Sequence, residues 1–97
     1  MKSWTYITTN KYNKVLYTGF TGDLKSRIEN HKKKKYPNAF TARYNIDKLV
    51  WYQEFDDIKD AYKREKQIKA GSRQRKLDLI NDMNPEWNDL TSKVQKE

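Results

Sequence analysis

Ninety-seven residues make one small domain with a modest core, and the lack of cysteine excludes disulfides, zinc–thiolate sites and cysteine nucleophiles. Charged residues are 35% of the chain, and 21 Lys and Arg against 13 Asp and Glu leave a formal charge of +8, the footprint of a polyanion binder, with nucleic acid the first expectation. Seven Tyr, three Trp and three Phe argue against disorder, while no apolar run approaches a membrane span or a signal peptide, so a cytoplasmic protein with no membrane partner is expected.

Trp4 to Thr8 (WTYIT) is rich in aromatic and β-branched residues and reads as a strand. Asn10 to Lys14 is a turn, and Val15 to Gly19 a second strand, so the two form an antiparallel hairpin. The turn leaves the register open, and with it whether Tyr6 and Tyr17 share a face. Gly19 and Gly22 at the strand end permit a tight turn or a close approach of the backbone. A helix follows from about Asp23 to Lys32–Lys35, with Thr21 as N-cap and Leu24 and Ile28 as its apolar stripe. Arg27 and His31 are four residues apart and share one face.

Tyr36 and Pro37 stop that helix, and Pro37 to Asp47 reads as a loop carrying Arg43 and two aromatics. Lys48 to Phe55 is a third strand, apolar on both faces over Leu49 to Tyr52 and hence expected at the sheet centre. Asp56 and Asp57 cap a second helix running to Ala70 and closed by Gly71. Its apolar stripe is Ile58, Ala61, Tyr62 and Ile68, and the helical period places Glu65 inside it. A carboxylate there costs desolvation unless a cation meets it, either in a buried salt bridge or as a bound metal. Ser72 caps a third helix, Arg73 to Met83, with Leu77, Ile80 and Met83 inward and Arg73, Arg75 and Lys76 turned to a partner. Residues 84–97 form a tail, pinned by Pro85, Trp87 and Leu90 and fraying from Lys93 onward. The fold class is a small α+β domain over residues 1–83: a three-stranded mixed or antiparallel sheet flanked by helices, in the order β-β-α-β-α-α.

One histidine and no cysteine leave no ordinary zinc site, and neither GxxxxGK[ST], GxGxxG nor a serine-nucleophile motif is present. What remains is a basic domain with strand tyrosines, Arg27, His31 and Glu65. One carboxylate for a hard cation, an arginine for the phosphate and a tyrosine or histidine near the attacking water suffice for metal-assisted phosphodiester hydrolysis.

Those residues carry a resemblance. From Trp4 to Ile80 the chain resembles the GIY-YIG endonuclease superfamily, and most of all its small stand-alone bacterial members. Trp4-Thr5-Tyr6 corresponds to the first half-motif and Tyr17-Thr18-Gly19 to the second; Arg27, His31 and Glu65 fall on the helix arginine, the next-turn Tyr or His, and the metal-binding glutamate. Asn84 to Trp87 (NPEW) is also similar to some members. The resemblance implies a DNA endonuclease in which Glu65 holds one Mg²⁺ or Mn²⁺. Tyr6 and Tyr17 would bracket the water and phosphate, with one of them or His31 as general base, and Arg27 would stabilise the developing charge. Gly19 would permit close packing at the strand end; from the domain's own surface, Gly19, Lys25, Lys32, Lys33 and Arg43 are expected to meet nucleic acid. Three departures stand out: the first half-motif keeps only its tyrosine, Thr18 replaces an isoleucine, and Phe20 stands where several branches carry a lysine. The alternative reading is a non-catalytic nucleic-acid-binding module of the same fold, and a third is a protein-interaction domain docking through Trp87 and Leu90.

Overall fold

The computed structural model describes residues 1–34 and 36–95. Its first strand, β1 (Ser3–Thr9), is the middle of a three-stranded sheet, between β2 (Leu16–Thr21) and β3 (Lys48–Phe55). Both pairings are antiparallel, so the sheet is not mixed. Tyr6 and Ile7 are fully buried, on opposite faces of β1, and each anchors one of two apolar clusters.

The third strand was expected at the centre and lies at an edge. A bulge explains the misleading pattern. Ile7 pairs with Trp51 and Thr8 with Leu49, so Val50 is an extra residue and the alternation slips there. Leu49 joins the Tyr6 cluster, while Val50 and Trp51 both join the Ile7 cluster. Apolar residues on both faces thus mark a bulge between two covered faces rather than a central strand.

Helix α1 (Leu24–Lys33) covers the Tyr6 face through Leu24 and Ile28. Its N-cap is Asp23, which accepts from the Ser26 amide at 3.0 Å. Thr21, expected as the cap, is the last residue of β2 and its hydroxyl accepts from the Asp23 amide at 3.1 Å. The cap thus stands two residues later than expected, and the helix begins at Leu24, one residue after the expected Asp23. Lys34 closes α1 in the left-handed region at φ 51°, and Lys35 lies outside the described residues. The expected loop after Pro37 contains a single helical turn, α2 (Phe40–Arg43).

Helices α3 (Ile58–Ala70) and α4 (Arg73–Met83) cover the Ile7 face with Ile68 and Ile80. Asp57 and Ser72 cap them as expected. The inward line of α3 is Ala61, Glu65 and Ile68; Ile58 and Tyr62, placed on it by periodicity, are exposed. On α4 the inner residues are Leu79 and Ile80, and Met83 is exposed. Arg73 donates to the Lys14 carbonyl at 2.8 Å and Lys76 to the Gly71 carbonyl at 3.1 Å, so both hold the fold instead of facing a partner.

The segment after α4 is stitched down. Asn84 is buried and donates to the carbonyls of Val50 and Asn88, while Pro85 is exposed and pins nothing. A short helix, α5 (Thr91–Gln95), seats Leu90 and Val94 in the Tyr6 cluster beside α1, so Lys93 and Val94 are helical where fraying was expected. Asp89 is the knot. Its carboxylate accepts from Lys32 Nζ at 2.7 Å, from the Thr91 amide at 3.0 Å and from the Leu49 amide at 3.3 Å. Burial works against its charge, yet Lys32 and Thr91 outweigh burial and hold the carboxyl below the ordinary range. Asp89→Ala is expected to lower unfolding stability by about 1–2 kcal/mol, the scale of a lost charged hydrogen-bond acceptor. Because the folded pKa is depressed, this contribution is complete at neutral pH and is lost as pH falls through the folded pKa. Denaturant melts of both proteins at neutral and acid pH would show the gap closing in acid.

Candidate active site

The hairpin register answers what the turn left open. Tyr6 pairs with Gly19 and Thr8 with Tyr17, so Tyr6, Tyr17 and Gly19 share one face. Their rings meet at 6.4 Å between centroids. Gly19 is what lets Tyr6 lie there. A Cβ on Gly19 would stand 2.6 Å from the Tyr6 hydroxyl oxygen and 2.7 Å from its Cζ. Gly19 is therefore buried beneath Tyr6 and makes room for the ring.

Helix α1 brings the other half of the cluster. Its spacing puts Arg27 and His31 on one face, as expected, and His31 stands edge-on to both tyrosines, 5.9 Å from Tyr6 and 6.0 Å from Tyr17. Leu24 and Ile28, on the neighbouring stripe, hold that face against the sheet. Tyr17, Arg27, His31, Lys34, Tyr36 and Thr41 line a cleft of about 300 Å³ that opens between α1 and α2. Tyr6 and Glu65 are not part of its wall.

Helix α3 approaches from the other side of the sheet. The Thr5 hydroxyl donates to the Ala61 carbonyl at 2.7 Å and fixes the helix one turn before Glu65. This accounts for a departure in the first half-motif: Thr5 is a bracket for α3, and Trp4 packs against the Tyr6 cluster. Glu65 is buried, with Lys69 at 3.5 Å. That pair is long and half of Lys69 is in water, so it compensates the buried carboxylate weakly. Among the described residues no three His, Cys, Asp or Glu side chains gather as a metal cluster. The protein donor for a hard cation at this site would be the single carboxylate of Glu65.

The electrostatics separate the titratable groups. Burial above all, helped by Tyr17 and by Glu65 and opposed by Arg27, pushes the Tyr6 hydroxyl up to about 12. At neutral pH Tyr6 is a protonated donor. Burial, with Arg27 adding to it, lowers His31 below the ordinary 6.5, against the Ile46 backbone and Asp47. His31 is therefore neutral at pH 7. Among the described residues the Tyr6 hydroxyl, Thr8 Oγ1 and His31 Nδ1 are buried without a well-formed hydrogen bond, although Arg27 lies near the Tyr6 hydroxyl and the Ile46 backbone near the His31 ring. Polar atoms without a good protein partner on adjoining rings can take a further one.

The residues expected to hold nucleic acid are not all equally placed. Lys25 and Lys33 are exposed on α1, and Arg43 is exposed at the end of α2. Lys32 is committed to Asp89 and to the Asp47 carbonyl at 2.9 Å, so its charge serves the fold. Lys34 lines the cleft instead, and a four-lysine run gave no signal for choosing it. Phe40, whose ring lies 6.4 Å from Tyr17, was equally hidden in a segment read as loop.

Comparison with known proteins identifies the family. The model of the GIY-YIG catalytic domain matches residues 2–78. A UPF0213 protein of Syntrophus aciditrophicus is 39% identical over 85 residues, which span 88% of this chain and 95% of that protein. A UPF0213 protein of Staphylococcus saprophyticus is 37% identical over 81 residues, 84% of this chain and 96% of the relative. The solution structure of a UPF0213 protein from Bacillus halodurans superposes with a TM-score of 0.58 at 27% identity, covering 95% of this chain and 96% of that one. With hairpin tyrosines, helix arginine and buried glutamate all inside the matched span, the chain belongs to the GIY-YIG family of nuclease domains.

Proposed function

We infer that this protein is a metal-dependent endonuclease that hydrolyses phosphodiester bonds in DNA. The observation that carries the reading is the buried, weakly compensated Glu65, within electrostatic reach of Tyr6 in a cluster with Tyr17, Arg27 and His31. Glu65 would hold one Mg²⁺ or Mn²⁺. A single carboxylate suits such ions, which keep several waters and take further oxygens from phosphate. When bound, the cation supplies Lewis-acid polarisation of the phosphate and neutralises charge on the leaving oxygen.

The protein's own groups divide the remaining work. Arg27 places a fixed positive charge where negative charge grows on the phosphate oxygens, a contribution that needs no proton transfer. Tyr6, held protonated, donates from its hydroxyl and orients the water or a non-bridging oxygen. His31, neutral at pH 7, is the group able to accept the proton of the attacking water. Tyr17 forms the outer wall of the same space. DNA reaches the site by charge: Arg27 and Lys34 line the cleft, and the exposed Lys25, Lys33 and Arg43 add cations on α1 and α2, so binding weakens steeply with salt.

The decisive experiment compares wild type with Glu65→Gln, which keeps the side-chain volume and removes the charge. Metal-dependent cleavage of labelled DNA should fall at least about a hundredfold, the scale of several kcal/mol of lost charge stabilisation. DNA binding in EDTA and the melting temperature should stay near wild type. Cleavage that survives the substitution would remove Glu65 from the chemistry; binding without cleavage by wild type itself would favour the non-catalytic module. The cleavage rate of wild type should fall as pH drops through the lowered His31 value, below 6.5, and stay flat from pH 7 to 9. A rate that climbs steadily toward pH 10 would assign the proton transfer to a tyrosine. Finally, Gly19→Ala should cost about 1–3 kcal/mol in stability, as overpacking does, and displace Tyr6 so that cleavage falls more than the melting shift alone explains. Parallel melts and cleavage assays would separate the two effects.

A further inference from the structure

A file of aromatic rings leaves the cluster on its Tyr17 side. Phe40 lies 6.4 Å from Tyr17 with the planes 30° apart, and Tyr44 lies 4.8 Å from Phe40 at 46°. Both outer rings face water: Phe40 is 50% exposed and Tyr44 49%. Beyond Tyr44 the surface dips into a hollow of about 380 Å³ lined by Lys11, Tyr12, Tyr44 and Asn45, where the Lys11 ammonium lies 5.0 Å from the Tyr12 ring centroid. Core packing does not account for these rings. The folded chain buries Tyr6 and nearly all of Trp51, yet it leaves this file half in solvent on a single helical turn.

Exposed aromatics of this kind mark interaction surfaces, and Arg27, Lys34 and Lys11 lie about these rings, with the Asp47 carboxylate in the outer hollow. Arg27 and Lys34 line the cleft at the inner end of the file, and Arg43 sits between Phe40 and Tyr44 in sequence. Rings alternating with cations form a platform on which successive bases stack while the backbone is held by charge. A paired duplex cannot use such a platform, because its base faces are covered by their neighbours and only the edges are open. Unpaired bases can.

We propose that Phe40 and Tyr44 are a stacking subsite for the unpaired bases next to the scissile phosphate, so that the preferred substrate is single-stranded DNA or DNA unpaired beside the cut. The assignment of the scissile phosphate to the Tyr17 end rests on the endonuclease reading above; the stacking itself does not.

The test is equilibrium binding in EDTA, which needs no cleavage and so fails or succeeds independently of that reading. A fluorescein-labelled oligothymidylate and a blunt duplex of the same length are titrated with wild type, Phe40→Leu, Tyr44→Leu and the double variant. Leucine keeps an apolar side chain and removes the π-face. Single-strand affinity should fall at least about fivefold for each ring removed, and duplex affinity by less than about twofold. Affinities for both DNAs falling together, or neither falling, would overturn the proposal. If the leucine variants do not fold, Phe40→Trp decides: emission added by the new indole should be quenched by the oligothymidylate and not by the duplex. Absence of that quenching would overturn the proposal as surely.

Discussion

The close approach of Tyr6 to Gly19 is the constraint on which the site depends. A phenol ring lies where any other residue of β2 would have put a side chain, and the space that glycine leaves is the space the hydroxyl occupies. The position has three consequences. It strips water from the phenol and keeps it protonated. It sets the ring against Tyr17 and His31, so three polar-tipped rings converge from two strands and a helix. It also brings the hydroxyl within electrostatic reach of Glu65, on a helix that covers the opposite face of the sheet. Glycine at this point serves by the space it leaves over the strand, not by backbone freedom.

Much of this was legible in the chain. Both hairpin strands, the helix bearing Arg27 and His31, and the anomalous Glu65 follow from periodicity, capping and the cost of burying a carboxylate. The family model covers the same stretch. What the sequence hid has physical reasons. A bulge at Val50 destroys the alternation that marks an edge strand, so β3 looked central. An Asp two residues beyond Thr21 competes for the cap, and only geometry decides between two good capping residues. The inward positions of α3 narrowed to Ala61, Glu65 and Ile68 because the helix sits across β1 and β2, leaving Ile58 and Tyr62 at its flanks.

Charge was the least legible property. A surplus of cations forecasts a polyanion partner, but it does not say which cations are free to meet one. Lys32, Arg73 and Lys76 are bound to carbonyls or to Asp89, whereas Lys34, one of four successive lysines, turns into the cleft because α1 ends there in the left-handed region. The distinction is set by where helices stop, and it divides the run of lysines into structural and cleft-facing members.

Leu90 and Val94 complete the cluster against which α1 rests, and Asp89 ties that helix to β3 through Lys32 and the Leu49 amide. The helix that carries Arg27 and His31 is thus seated by residues about sixty positions later in the chain. During synthesis the hairpin and α1 emerge long before their support does. A chain that ends before Asp89 therefore carries Arg27 and His31 on a helix that lacks Leu90, Val94 and the Asp89 tie.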